Sequence, residues 1–83
     1  MAYVSKLNLV DISWPINILK CCKCMDKMAP GERLVVSLRN ADTVESIVTL
    51  LKTKPYFEYE LQKNAQCYSL TITRHPEFRG QPG

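Results

Sequence analysis

Three of the four cysteines of this chain lie close together in the segment SWPINILKCCKC, residues 13 to 24. These are Cys21, Cys22 and Cys24. Thiols at such spacing can act as nucleophiles, form a redox pair or contribute ligands to a metal ion. They can also be small core residues, because free cysteine is among the most buried residue types. Which of these uses applies depends on where each cysteine lies on the helix that carries it.

The segment from Pro15 to about Met28 is predicted to form this helix. Proline suits the first helical position, and Ala29-Pro30-Gly31 ends the pattern. When the residues are placed at about 100° each around the helix axis, the apolar residues fall on one face, which is the predicted buried stripe. Its members are Ile18, Cys21, Met25 and Met28.

This placement separates the three thiols. Cys21 is predicted to be a buried core residue, and burial among apolar groups quenches thiol reactivity. Cys22 and Cys24 fall on opposite flanks of the stripe, where Lys20 and Lys23 are close in sequence. Cys22 and Cys24 are therefore the candidate reactive thiols.

A redox pair and a metal site are both disfavoured. Cys21 and Cys24 match the C-x-x-C spacing, but they lie two turns into the helix, whereas a reactive thiol usually sits at a helix N-terminus. A zinc site would need a fourth ligand. Cys67 is predicted to face away from the helices, and His75 is assigned to a C-terminal tail. We therefore expect no metal and no cofactor.

Length and composition exclude several other functions. The 83 residues make one domain with a net charge of +3, which is low for a dedicated nucleic-acid binder. The sequence has one histidine and no glycine-rich phosphate loop. Glu58 and Glu60 are interpreted as a solvated strand face. No signal-peptide or membrane-spanning stretch is predicted, so a cytoplasmic protein with reduced cysteines is expected.

The elements that must position these residues follow from periodicity. Strands are predicted at residues 3–10, 33–38, 56–62 and 67–73, and a second helix runs from Asn40 to Pro55 with an apolar stripe. The order β-α-β-α-β-β predicts an α/β (α+β) two-layer sandwich, with two helices on one face of a four-stranded mixed sheet. Residues 1–74 are predicted to form the domain, and residues 75–83 a flexible tail.

Three segments resemble the TusA/SirA family of small sulfur carriers: LNLVDISWP (7–15), MAPGE (28–32) and NADT (40–43). Family members typically read L-D-x-x-G-L-x-C-P-x-P before the first helix, a P-G-E-like turn after it, and a D-D/N-P-A-like start to the second. The resemblance covers about residues 7 to 74 and implies the same two-layer fold. It also implies sulfur relay, in which a cysteine desulfurase hands a persulfide to the C-P-x-P cysteine, for example toward 2-thiouridine in tRNA.

The chain departs from the family pattern at the cysteine itself. Trp14 occupies that position, Asn8 replaces the aspartate, Asp11 the glycine, and Asn17 the second proline; only Pro15 remains of C-P-x-P. Indole has no nucleophilic sulfur, so no catalytic residue carries over from the resemblance.

Three hypotheses follow. In the first, the domain is a non-catalytic module that binds a protein partner, such as a cysteine desulfurase or another sulfur-relay protein. The residues of this predicted surface are Trp14, Ile16, Leu19, Lys20 and Lys23. In the second, Cys22 or Cys24 is a displaced persulfide acceptor. In the third, the open sheet face or the Lys20/Lys23/Lys27 stripe binds nucleic acid. An alternative for Trp14 is that its ring folds back over the core.

Overall fold

The computed structural model describes residues 4–76, which contain six elements in the predicted order. Their bounds are β1 (Val4–Asn8), α1 (Ile16–Asp26), β2 (Arg33–Leu38), α2 (Ala41–Lys52), β3 (Phe57–Lys63) and β4 (Tyr68–Arg74). The predicted fold class is confirmed: a four-stranded mixed sheet with two helices. In the described part of the chain, neither helix is long and apolar enough to cross a membrane.

The sheet has the strand order β1-β2-β4-β3. β1 and β2 are parallel, while β4 lies antiparallel between β2 and β3. The order places the two most apolar strands in the middle. Leu34, Val36 and Leu38 of β2 and Leu70 and Ile72 of β4 are all buried against the helices.

Most predicted boundaries lie within two residues of the observed ones. α1 ends at Asp26 rather than Met28, because the amides of Lys27 and Met28 bond to the carbonyls three residues back, at Cys24 and Met25. Gly31 then takes a positive φ of 91° in the turn that leads to β2. Left-handed backbone of this kind favours glycine, which has no Cβ.

β3 is an edge strand, and its inward set is less buried than alternation alone would suggest. Tyr59 and Leu61 point to the helix side but remain 37% and 43% exposed. The opposite set includes Glu58 and Glu60, which lie on the open face. Charged residues on an edge strand discourage pairing with a further strand.

Backbone hydrogen bonding continues beyond β4 to His75. The His75 amide donates to the Tyr56 carbonyl at 2.8 Å, and its ring Nε2 lies 2.7 Å from Glu58 Oε1. His75 is thus held against β3, although the sequence assigned it to a tail. Residues 77–83 of that predicted tail lie outside the described residues.

Candidate functional site: the exposed start of the first helix

The start of α1 is positioned by the loop that follows β1. The Asn8 side chain accepts a hydrogen bond from the Val10 amide at 3.0 Å, which turns the chain out of the strand. Arg39, at the end of β2, donates to the Val10 carbonyl and approaches Asp11 at 3.3 Å. The Arg39–Asp11 pair is well exposed, so its energetic contribution is small. These contacts connect the segment before Trp14 to the sheet.

Asn17 anchors the first turn of the helix. Its backbone amide donates to the Ser13 carbonyl at 3.1 Å, and the residue is only 4% exposed. The side-chain Nδ2 donates to Thr43 Oγ1 of α2 at 3.4 Å, and Oδ1 accepts from the Ile18 amide. Buried polar groups need such partners. Asn17 therefore fixes the start of α1 against the start of α2.

Trp14 projects into solvent just before this anchored turn. Its side chain is 67% exposed, which excludes the alternative that the ring folds back over the core. A shallow pocket of about 330 Å³ lies between Trp14 and the start of α2, where Asn40, Asp42, Thr43 and Ser46 line it. The ring is thus accessible beside a turn that hydrogen bonds anchor to α2.

The exposed residues of α1 continue the surface that Trp14 begins. Ile16 and Leu19 are 48% and 55% exposed. Lys20 and Lys23 are also exposed and follow Ile16 and Leu19 at a spacing of four residues. Residues three or four apart lie on the same helix face. We call this surface, made of Trp14, Ile16, Leu19, Lys20 and Lys23, the Trp14 surface.

Cys21 lies in the core, as its position on the helix predicted. It is fully buried, and its Sγ lies 4.0 Å from Met25 Sδ one turn later. Burial raises the pKa of the Cys21 thiol from 9.0 to about 12, with smaller contributions from Cys22 and Cys24. A thiol of this kind is protonated at neutral pH and does not serve as a nucleophile.

Cys22 and Cys24 are both free and partly exposed. Cys24 packs against the edge of the core cluster. Cys67 lies before β4, where its Sγ is 4.0 Å from Asn64 Nδ2. Nowhere in residues 4–76 do three His, Cys, Asp or Glu side chains come together as a metal site would require.

Two residues at this site were not recognised from the sequence. Asn17 and Thr43 are the buried polar residues of the described chain. A signal existed for Asn17, because it lies four residues before Cys21 on the same helix face. Asparagine is mostly exposed in proteins, so the apolar pattern predicts a stripe that starts one residue later, at Ile18, which the structure shows as only half-buried.

Comparisons with known proteins agree with this architecture. The family model described as sulfurtransferase TusA matches residues 5–74. The crystal structure of a SirA-like protein from Desulfitobacterium hafniense superposes with a TM-score of 0.75 at 12% identity, covering 87% of this chain and 99% of that one. At this identity the superposition establishes the fold alone. No curated protein matches the chain by sequence.

Proposed function

Because this chain belongs to the TusA sulfurtransferase family, we propose that it serves sulfur relay as a protein-binding module that does not itself carry sulfur. The observation that supports this proposal most strongly is the exposure of Trp14, the residue to which the resemblance assigns the family's cysteine position. A tryptophan cannot accept a persulfide. Tryptophan is, however, one of the residue types most enriched among the dominant contacts of protein interfaces.

The chemistry of the Trp14 surface indicates what kind of partner it suits. Trp14, Ile16 and Leu19 form its apolar centre, while Lys20 and Lys23 form one side of its rim. Interfaces commonly combine an apolar centre with a charged rim that steers the encounter. The surface therefore suits a protein that presents an apolar groove beside acidic residues. A cysteine desulfurase or another sulfur-relay protein is the class we favour.

A cytoplasmic location is part of the proposal. All four cysteines are free, and Cys22, Cys24 and Cys67 are partly exposed. Unpaired, accessible thiols are typical of a reducing compartment.

The proposal is tested by labelling the single tryptophan with fluorine. Addition of a sulfur-relay partner is expected to shift and broaden the fluorine NMR resonance of 5-fluorotryptophan at position 14. An acidic protein of unrelated function serves as the control and should leave the resonance unchanged. A partner that binds without moving the resonance would refute the assignment of this surface.

A second candidate function is sulfur carriage by Cys22 or Cys24. It is supported by the partial exposure of both free thiols. However, Cys24 lies eight residues beyond Ile16, or about 12 Å along the helix at about 1.5 Å per residue. A partner that delivers sulfur to the family's cysteine position would therefore have to dock further along α1 to reach Cys24.

A further inference from the structure

The open face of the sheet, on the side away from the helices, carries charges of opposite sign near its two edges. Residues paired across neighbouring strands lie on the same face, and successive residues of one strand lie on opposite faces. Leu34 and Val36 of β2 are buried on the helix side, so the residues that precede them lie on the open face. One row of the open face consists of Lys6, Val35, Thr71 and Glu60, and the next row of Val4, Arg33, Thr73 and Glu58.

The strand order separates the two signs of charge. Lys6 lies on the edge strand β1 and Arg33 on β2, whereas Glu58 and Glu60 lie on the opposite edge strand β3. Lys6 and Glu60 are three strand spacings apart, or about 14 Å between backbones. All four charged residues are exposed. The open face is therefore basic along one side and acidic along the other.

Short side chains occupy the middle of this face. Val35, Thr71 and Thr73 are β-branched and only partly exposed. The two threonines line a shallow depression of about 360 Å³ together with Arg33 and the glutamates of β3. Sheets stack face to face at about 10 Å when the side chains between them interdigitate. Short central side chains therefore allow a second sheet to approach while the longer charged side chains meet at the edges.

We propose that the open face binds a second copy of this chain, with the basic side of each copy over the acidic side of the other. A two-fold axis that runs parallel to the strands, between β2 and β4, places β1 over the partner's β3 and keeps the rows aligned. Lys6 then faces the partner's Glu60, and the symmetry forms this pair twice. Arg33 comes within about one strand spacing, 4.8 Å, of the position over the partner's Glu58.

The dimer is expected to be weak and to depend on these charges. Four strands of about five residues give a face of roughly 19 by 17 Å, which is less than the roughly 800 Å² that each partner of a stable complex buries. Glu58 already contacts His75, at 2.7 Å between Oε1 and Nε2. The pair of Lys6 with the partner's Glu60 should therefore contribute most, and added salt should weaken the association.

Sedimentation equilibrium at low ionic strength, with up to about 1 mM protein, measures the dimerisation. Lys6→Glu and Glu60→Lys should each raise the dissociation constant at least about tenfold, because each places like charges opposite one another. An equimolar mixture of the two variants should dimerise at least as well as the wild type, because both contacts of the mixed dimer then join opposite charges. Each substitution changes the net charge of +3 by two, so both variants remain net positive and net charge does not explain this gain.

Lys52→Glu and Glu45→Lys are the matched controls, since they make the same charge changes at exposed positions of α2. They should dimerise like the wild type, alone and mixed, and thermal melting confirms that all variants are folded. Trp14→Ala should also dimerise normally, because Trp14 lies outside the sheet, so this test is independent of binding through the Trp14 surface. A mixture that associates no better than its two components, or an equal loss in the α2 controls, would overturn the proposal. A wild type that stays monomeric throughout would also overturn it and leave the open face to solvent or to another protein.

Discussion

The side-chain amide of Asn17 donates a hydrogen bond to the Thr43 hydroxyl, at 3.4 Å between Nδ2 and Oγ1, and joins the starts of the two helices. Both side chains are buried. The contact lies directly beneath the turn that presents Trp14, so a polar link within the core holds the exposed surface in place. Rigid presentation matters because less ordering is then required when a partner binds.

Thr43→Val is predicted to destabilise the domain by about 1–2 kcal/mol. Valine keeps the shape of threonine but leaves the buried Asn17 Nδ2 without an acceptor, and an unsatisfied buried donor has a cost of this size. Urea unfolding measures the change. Thr49→Val is the matched control on the same helix, since Thr49 is exposed and its hydroxyl bonds to the Glu45 carbonyl of its own helix. Equal stabilities for the two variants would remove the role assigned to the Asn17–Thr43 pair.

Stability is predicted to fall above about pH 9 because of Cys21. Its pKa is raised to about 12 by burial, from 9.0 when unfolded. Between these values the folded thiol keeps its proton while the unfolded thiol loses it, so rising pH favours unfolding. The contribution is fully present below pH 9 and declines by at most about 1.4 kcal/mol per pH unit. Urea unfolding of the wild type and Cys21→Ala should therefore converge as the pH rises, and parallel pH profiles would contradict the assignment.

The fluorescence of Trp14 is predicted to resemble that of free tryptophan in water, because the ring is 67% exposed. Iodide should quench it more effectively than caesium, since Lys20 and Lys23 attract anions to this surface. In Lys20→Gln/Lys23→Gln the difference between the two quenchers should shrink. If the fluorescence were blue-shifted and neither ion quenched it, the indole ring of Trp14 would be covered by the rest of the protein in solution.

No persulfide is predicted on Cys22 or Cys24 after incubation with a cysteine desulfurase and cysteine. Intact-protein mass spectrometry of the wild type and of single serine variants at each cysteine provides the measurement. A gain of one sulfur that reductant removes, and that only Cys22→Ser or Cys24→Ser abolishes, would establish the second candidate function instead.

The sequence predicted the layers of this fold better than the arrangement of its strands. Alternation in β4 identified Leu70 and Ile72 correctly as buried, since one face of that strand is apolar. The position of β4 between β2 and β3 was not assigned, because periodicity reports which face is buried and not which strand is the neighbour. A useful signal was the charge of β3, whose Glu58, Glu60 and Lys63 suit an edge.

The exposure of the apolar residues at the start of α1 was predictable from the sequence, whereas the contacts that hold this turn in place were not. Trp14 was singled out because the resemblance places it at the cysteine of the C-P-x-P pattern, although the sequence left open whether its ring would cover the core. The role of Asn17 depends on Thr43, a residue 26 positions away. A contact at that separation is created by helix packing and has no local sequence pattern.

The most direct test of the account is the affinity of the chain for a sulfur-relay protein, measured by calorimetric titration. Trp14→Ala is predicted to weaken binding at least about tenfold, or about 1.4 kcal/mol, as expected for a central aromatic contact. Leu61→Ala is the control, because Leu61 is also an exposed apolar residue, 43% accessible, but lies on β3 away from α1. It should leave the affinity within about twofold of the wild type. Equal affinities for the two variants, or no binding of the wild type to any cysteine desulfurase or other sulfur-relay protein, would contradict the central claim.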